Sequence, residues 1–371
     1  MKFSVFNAIP YGSVRERVDA WPVPNELYEP KQGLAAFANF LEEVEMADEL
    51  GFDWISCAEH HYSPNSLAPS VSVIASVLTQ RVKRARIAIL GALIPLTGNP
   101  VRIAEEFAMI DNLSGGRLIA GLMRGAPYEY LVYDINPAES RARFEEAWEL
   151  INKAWTDTSP FGWDGRYFHY SNVSIWPRPV QQPTLPIYMS GSSRESGEFA
   201  ARHRVGLGLA FTNLPLAAAA ARFYRETSAA YGWEPTPENI IYQLPVHVAD
   251  TDEQAFNNMR PGIEGGGHGS GLAKANRLVV SSGFFGGRDA NLTKRFKNMA
   301  TDAPKTLEDA IEMGTVMCGG PATVLKQVKR LRNEIGCGVL NLIFERFSPL
   351  AAKRRSIELF AKEVMPEAHN L

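Results

Sequence analysis

Eight times along the chain a short apolar run is followed by an amphipathic segment, and this alternation restricts the fold more than any other feature. The runs are KFSVFNA, FDWISCA, RIAILGALI, RLIAGLMRG, PIYMSG, VGLGLAF, NIIYQLPVHVA and GVLNLIF. They are nearly continuous in apolar residues, so both of their faces are buried, as in a parallel sheet covered by crossover helices. The segments between them read as helices. AAFANFLEEVEMADELG sets Phe37, Phe40, Leu41, Val44 and Ala47 at helical spacing and stops at Gly51. NPVRIAEEFAMIDNLSGG carries Pro100 near its first turn and glycines past its end. Eight strand-then-helix units predict an α/β chain of the (β/α)8 barrel type. An open doubly wound sheet is the alternative, but no GxGxxG follows any strand. GLGLAF at 206–211 lacks the third glycine and lies inside a strand.

Two stretches interrupt the alternation. Residues 158–185 are rich in aromatics and proline and contain an Asp-Gly pair, which reads as an inserted hairpin with an extended arm. Residues 260–300 hold GIEGGGHGSG and SSGFFGGR, and two helices are expected after them, near 305–313 and 321–334. With no internal repeat and no low-complexity linker, residues 1–371 read as one barrel domain with two insertions. The net charge of −3 lacks the basic excess that a nucleic-acid binder uses. Three cysteines without CxxC spacing do not form a disulfide framework or a zinc ribbon. MKFSVFNAIP reads as a first strand and not a leader, and no run reaches membrane-span length, so a cytoplasmic protein is expected.

Barrel chemistry sits at the C-terminal ends of the strands. SCAEHHYSP places Glu59, His60 and His61 just past the second strand. Successive residues leaving a strand point in opposite directions, so the two histidines are not expected to converge. A metal site lacks its further ligands and any HExxH-like spacing. One histidine facing the mouth as base or hydrogen-bond donor fits better. A structural histidine bonded to a loop carbonyl stays open as the plain alternative.

Three further strand ends add to this. After the third strand, Gly91 and Ala92 put almost no side chain at the mouth, leaving room for a flat ring or for close packing. After the fourth, Arg124 suits a phosphate or carboxylate, or a surface ion pair. After the fifth, Gly191, Ser192 and Ser193 precede a helix with Ser196 in its first turn. Free N–H groups and hydroxyls there form an anion site or a plain N-cap. A flat floor, a phosphate cradle and a histidine together suit a phosphorylated flat cofactor, with FMN leading.

In GFDWISCAEHHYSP, NPVRIAEEFAMIDNLSGGRLIAGLMRG and LPIYMSGSSRESGEFAA, taken in this order, the chain resembles the bacterial-luciferase-like flavin monooxygenases over nearly its whole length. The resemblance implies an enzyme that receives reduced FMN from a separate flavin reductase and reacts it with O2 to a C4a-peroxyflavin. That species oxygenates a small apolar organic substrate, with aldehydes and ketones in a Baeyer–Villiger-like reaction as candidates. It implies His60 as the catalytic residue, with Glu59 tuning it or touching the flavin. Gly91 and Ala92 become the backbone floor under the ring, often through a non-proline cis peptide. Arg124, Ser193 and Ser196 become phosphate ligands, with Ser192 contributing backbone and Tyr128 near the cofactor. It also implies a homodimer packed through helices near the second and third strands, and a glycine-rich lid at 260–300. Trp21 and Tyr28, in the loop after the first strand, become possible walls of the substrate pocket.

The sequence departs from the luciferase pattern at Met123, where α-subunits carry a reactive cysteine, so light emission is not implied. Tyr133-Asp134 stand where many relatives have Phe-Gly. An F420-dependent hydride-transfer enzyme of the same superfamily and a non-catalytic flavin-binding partner subunit are the competing readings. A metal-dependent barrel hydrolase lacks a carboxylate–histidine ligand set.

Overall fold

A computed structural model describes residues 1–12, 22–265, 304–344 and 347–371. Eight parallel strands close into a ring in the order β1 (Lys2–Phe6), β2 (Trp54–Cys57), β3 (Arg86–Leu93), β4 (Leu118–Met123), β7 (Ile187–Ser190), β8 (Gly206–Ala210), β9 (Ile240–Val248) and β11 (Val339–Ile343). The ring is joined between β8 and β9, with Leu207 opposite Ile240, and between β11 and β1, with Lys2 opposite Val339. This is the expected (β/α)8 barrel, and all eight strands lie on the predicted apolar runs.

Helices α1 (Pro30–Glu49), α2 (Val71–Arg81), α3 (Pro100–Ser114), α4 (Ser140–Thr156), α5 (Arg194–His203), α6 (Leu214–Ala230), α9 (Pro321–Ile335) and α10 (Leu350–Leu359) surround the ring. Local chemistry fixes their ends. Asn99 caps α3 by accepting the Arg102 N–H, Pro100 opens the helix, and Gly115 closes it at φ +68°. Outward strand residues such as Phe3, Val5, Ile55, Ile87, Ile89, Leu118 and Leu122 form one core with the helices.

The barrel interior is layered. At its base Trp54, Ala88, Ile119, Tyr188, Ile241 and Val339 pack together, with Trp54 and Tyr188 edge to face at 5.7 Å. Gly206 makes room for that tyrosine, since a Cβ there would lie 2.2 Å from its ring. Above lies a polar row of Ser4, Ser56, Asn341 and Gln243 joined by hydrogen bonds. Phe6, Ala58 and Ile343 pack together nearer the mouth.

Of the two interruptions, the first is described whole and the second only as far as residue 265. β5 (Phe161–Asp164) and β6 (His169–Val173) pair as the expected antiparallel hairpin, where His169 is bonded to Asp164 at 2.8 Å. The second interruption begins later than residue 260. α7 (Asp252–Glu264) continues through Pro261 because Met259 and Ile263 are buried against Leu307 and Ala310 of α8 (Leu307–Glu312). The proposed lid from residue 266 onward, and Trp21, lie outside the described residues. Unpredicted is β10 (Met317–Gly319), which pairs with the upper half of β9. No helix among the described residues is long and apolar enough to cross a membrane.

Candidate active site

The loop after β2 is pinned by its backbone before any side chain acts. The Glu59 N–H donates to the Gly91 carbonyl at 3.2 Å, and the His60 N–H to the Ala68 carbonyl at 3.3 Å. Pleating then sends the side chains apart. His61, 3% exposed, bonds Glu59 Oε1 through Nε2 at 3.0 Å, while Glu59 Oε2 accepts the Leu93 N–H at 3.2 Å. His60 turns the other way and meets Glu129, its Nδ1 lying 2.8 Å from Oε1.

Glu129 was not anticipated, and it is the carboxylate that bonds His60. Glu59 is committed to His61 and to backbone, and reaches His60 only through its charge. The Glu129 side chain is almost fully buried. Its Oε2 accepts the Ala126 N–H at 2.8 Å, and its Oε1 accepts the Tyr128 hydroxyl at 3.1 Å. That hydroxyl also lies 3.3 Å from His60 Nδ1. The short 3-10 turn Pro127–Leu131 that follows β4 points Glu129 and the two tyrosines beside it inward. The only trace in the sequence is an acid set within PYEYL, 69 residues from its partner.

The electrostatics of the cluster follow from burial and charge. Burial pulls the His60 pKa down, but the charge and hydrogen bond of Glu129, with the charge of Glu59, outweigh it, and the net shift is upward. Burial, aided by the Glu129 charge, raises Tyr128, so its hydroxyl stays protonated and donates. His60 Nε2 has no partner among the described residues, and the side chain keeps 34% exposure. A ring with Nδ1 fixed by a carboxylate and Nε2 open can hold or pass a proton at one defined atom. Tyr133 sits edge-on to His61 at 5.4 Å. Tyr28 rests on Tyr11 at 5.3 Å. Cys57, at the end of β2, is buried and its thiol is pushed up to about 12, so it is a packing residue.

At β3 the Leu90–Gly91 peptide is cis, and the pairing with β4 shifts register between Leu90 and Ala92. A Cβ on Gly91 would lie 2.3 Å from Met123 Cγ and 2.5 Å from the Gly121 carbonyl oxygen. Close packing of β3 on β4 therefore demands glycine here. Gly91→Ala is expected to cost about 1–3 kcal/mol in a urea melt, because a backbone atom cannot yield as a side chain can. An unchanged midpoint would show that β4 moves freely. Met123, at the position of the luciferase cysteine, is buried among Leu93, Leu96 and Tyr130.

The other side of the mouth is cationic and rich in donors. Arg124 follows β4, its carbonyl accepts the Tyr130 hydroxyl, and its guanidinium has no hydrogen bond or ion pair among the described residues. Ser193 caps α5 by accepting the Ser196 N–H at 3.2 Å, and the two hydroxyls are 3.1 Å apart. Gly191 has φ +151°, and a Cβ there would strike Ser196 Oγ at 2.4 Å, so glycine is required beside the cap. The Glu195 carboxyl is held below its ordinary value by its own N–H and the Ser193 hydroxyl, against burial, and then by the charges of Arg141 and Arg124. Both arginines are thus within electrostatic reach of the α5 N-terminus. This donor set fits a phosphate, and Ser192 supplies backbone at the same turn.

The sequence model of the luciferase-like monooxygenases matches residues 15–337. The chain belongs to that family. Curated relatives of this luciferase-like chain include protein y4wF of Sinorhizobium fredii, 35% identical over 44% of the chain and 48% of the relative. Limonene 1,2-monooxygenase of Rhodococcus erythropolis is 26% identical over 88% and 80%. The oxygenase component of flavin-dependent trigonelline monooxygenase of Acinetobacter baylyi is 27% identical over 55% and 52%. The matches thus span about half the length of y4wF and of the trigonelline enzyme. Among solved structures, the oxygenating constituent of 3,6-diketocamphane monooxygenase from Pseudomonas putida, in complex with FMN, has a TM-score of 0.74 at 20% identity, covering 99% of this chain and 98% of that one. An F420-dependent secondary alcohol dehydrogenase has a TM-score of 0.70 at 18% identity, covering 99% and 98%. At these identities the likeness is one of fold.

Proposed function

We propose that this luciferase-like chain is a flavin-dependent monooxygenase of the two-component type, which receives reduced FMN from a separate reductase. Its substrate is a small apolar organic compound of the aldehyde or ketone class. The observation that carries the reading is the His60–Glu129–Tyr128 cluster: a histidine fixed at Nδ1 and open at Nε2, on the same mouth as Arg124 and the α5 cap. Reduced FMN, when bound, supplies the two electrons by which one atom of O2 enters the substrate and the other leaves as water.

The chain's own residues do the rest. Arg124, Ser193 and Ser196, with the backbone at Ser192, hold the phosphate; the backbone at Gly91 and Ala92 supports the ring. His60 passes or holds a proton at Nε2, and Tyr128 and Glu129 fix its orientation. The naming of a relative as the oxygenase component of a flavin-dependent enzyme supports the reductase partner. Val73 and Val77 on α2 with Met109 and Leu113 on α3 leave apolar side chains exposed, which supports a homodimer through these helices. Free cysteines at 57, 318 and 337 agree with a cytoplasmic setting. F420-dependent hydride transfer is the second reading, because the same fold also serves that chemistry.

Anaerobic titration with reduced FMN and with reduced F420, followed by stopped-flow mixing with oxygenated buffer, separates the two. FMN binding and an absorbance transient that outlives free-flavin reoxidation are expected. Arg124→Ala should weaken FMN binding by about 10- to 100-fold, the worth of a charge-assisted contact. Exclusive binding of F420, with no reaction with oxygen, would overturn the monooxygenase reading.

A further inference from the structure

The polar row inside the barrel is ordered, and its last member is open. Ser4 Oγ donates to Ser56 Oγ at 3.0 Å, and Ser56 Oγ to Asn341 Oδ1 at 2.7 Å. Asn341 Nδ2 then donates to Gln243 Oε1 at 2.7 Å. Ser4, Ser56 and Asn341 are almost fully buried. With its oxygen engaged, the Gln243 carboxamide is left presenting Nε2 and its two N–H bonds. That nitrogen has no partner among the described residues. Ser190, Gly208, Ala210 and Gln243 all retain exposure although they sit on inward positions of β7, β8 and β9. An opening therefore runs from the mouth down this side of the barrel. Two inward positions of β8 there carry Gly208 and Ala210, so no large side chain fills it.

The strand order says what Gln243 can meet. β9 lies four places from β3 in a ring of eight, so Gln243 stands across the barrel from the Gly91 backbone. A ring resting on β3 would leave the β9 side to the substrate. We infer that Gln243 is a specificity-determining residue, whose Nε2 donates a hydrogen bond to an acceptor oxygen of the organic substrate, a carbonyl above all. The inference rests on the monooxygenase reading for the word substrate, and on geometry alone for the donor. It predicts discrimination against hydrocarbons of the same shape, because a polar floor loses a hydrogen bond to them and gains nothing in return.

Matched probes test it without turnover: cyclohexanone against methylenecyclohexane, and octanal against 1-nonene, titrated by saturation-transfer NMR with and without oxidised FMN. The wild-type protein is expected to bind the carbonyl member of a pair about tenfold more tightly than the alkene. Gln243→Leu should abolish that preference. Gln243→Glu keeps an acceptor for Asn341 Nδ2, so it preserves the row while removing the donors, and it should abolish the preference too. A wild-type protein without the preference, or either folded variant that keeps it, overturns the assignment. Binding of reduced FMN is read separately, in anaerobic samples. Its absence from the wild type would sink the monooxygenase reading and leave the donor role of Gln243 standing or falling on the probe pairs alone.

Discussion

His60→Ala should lower product formation by on the order of 10²- to 10⁴-fold, the usual worth of a positioned acid–base group, and leave FMN binding unchanged. The reasons are geometric. The Nδ1 side of the ring is committed to Glu129 at 2.8 Å, so only Nε2 can exchange a proton with anything in the mouth. Arg124 and the α5 cap, which hold the phosphate in this reading, are built on other strands and do not touch His60. The substitution removes the proton carrier and leaves the binding site standing. Oxygen consumption measured beside product formation gives the sharper readout. Oxygen use should continue while hydrogen peroxide replaces oxygenated product, because electrons still reach oxygen without a controlled proton transfer. Retained product yield would reduce His60 to a structural histidine, the alternative that the sequence left open.

How far such a site can be read in advance depends on the range of its interactions. The eight strands were legible because strands buried on both faces are apolar without interruption, whatever their partners. The α5 cap was legible because Ser193 accepts the N–H of Ser196, three residues on, as an N-cap serine does. The divergence of His60 and His61 followed from pleating alone. Glu129 was not legible, since its meaning arises 69 residues away and one short turn decides whether it faces His60 or water. β10 was hidden for a related reason. Its three residues carry no periodicity, and Gln327 on α9 holds the strand by bonding both the N–H and the carbonyl of Cys318. Pro261 and Gly262 looked like the start of a loop, yet burial of Ile263 carries α7 past them. Gln243 is a single polar residue in an apolar run, and only closure of the ring brings it beside Asn341.

Glu129→Gln tests the same cluster from its other side, and here the direction of change carries the information. Burial alone would leave His60 with a depressed pKa, and the carboxylate reverses that. A carboxamide keeps the shape and loses the charge. The His60 titration, followed by ring-proton NMR, should therefore move to lower pH than in the wild type. Activity should fall on the order of 10²-fold, because the amide no longer fixes one tautomer of the ring. Stability must follow with a defined sign. The folded pKa of His60 lies above its unfolded value, so the pair's contribution is complete below the unfolded pKa and disappears as pH rises through the folded one. Urea midpoints of the two proteins should accordingly lie farthest apart below the ordinary histidine pKa and approach each other as the pH rises through the raised one. A gap that widens with rising pH would mean that His60 is held neutral by burial, and that Glu129 supports the turn around Tyr128 instead of the charge on the histidine.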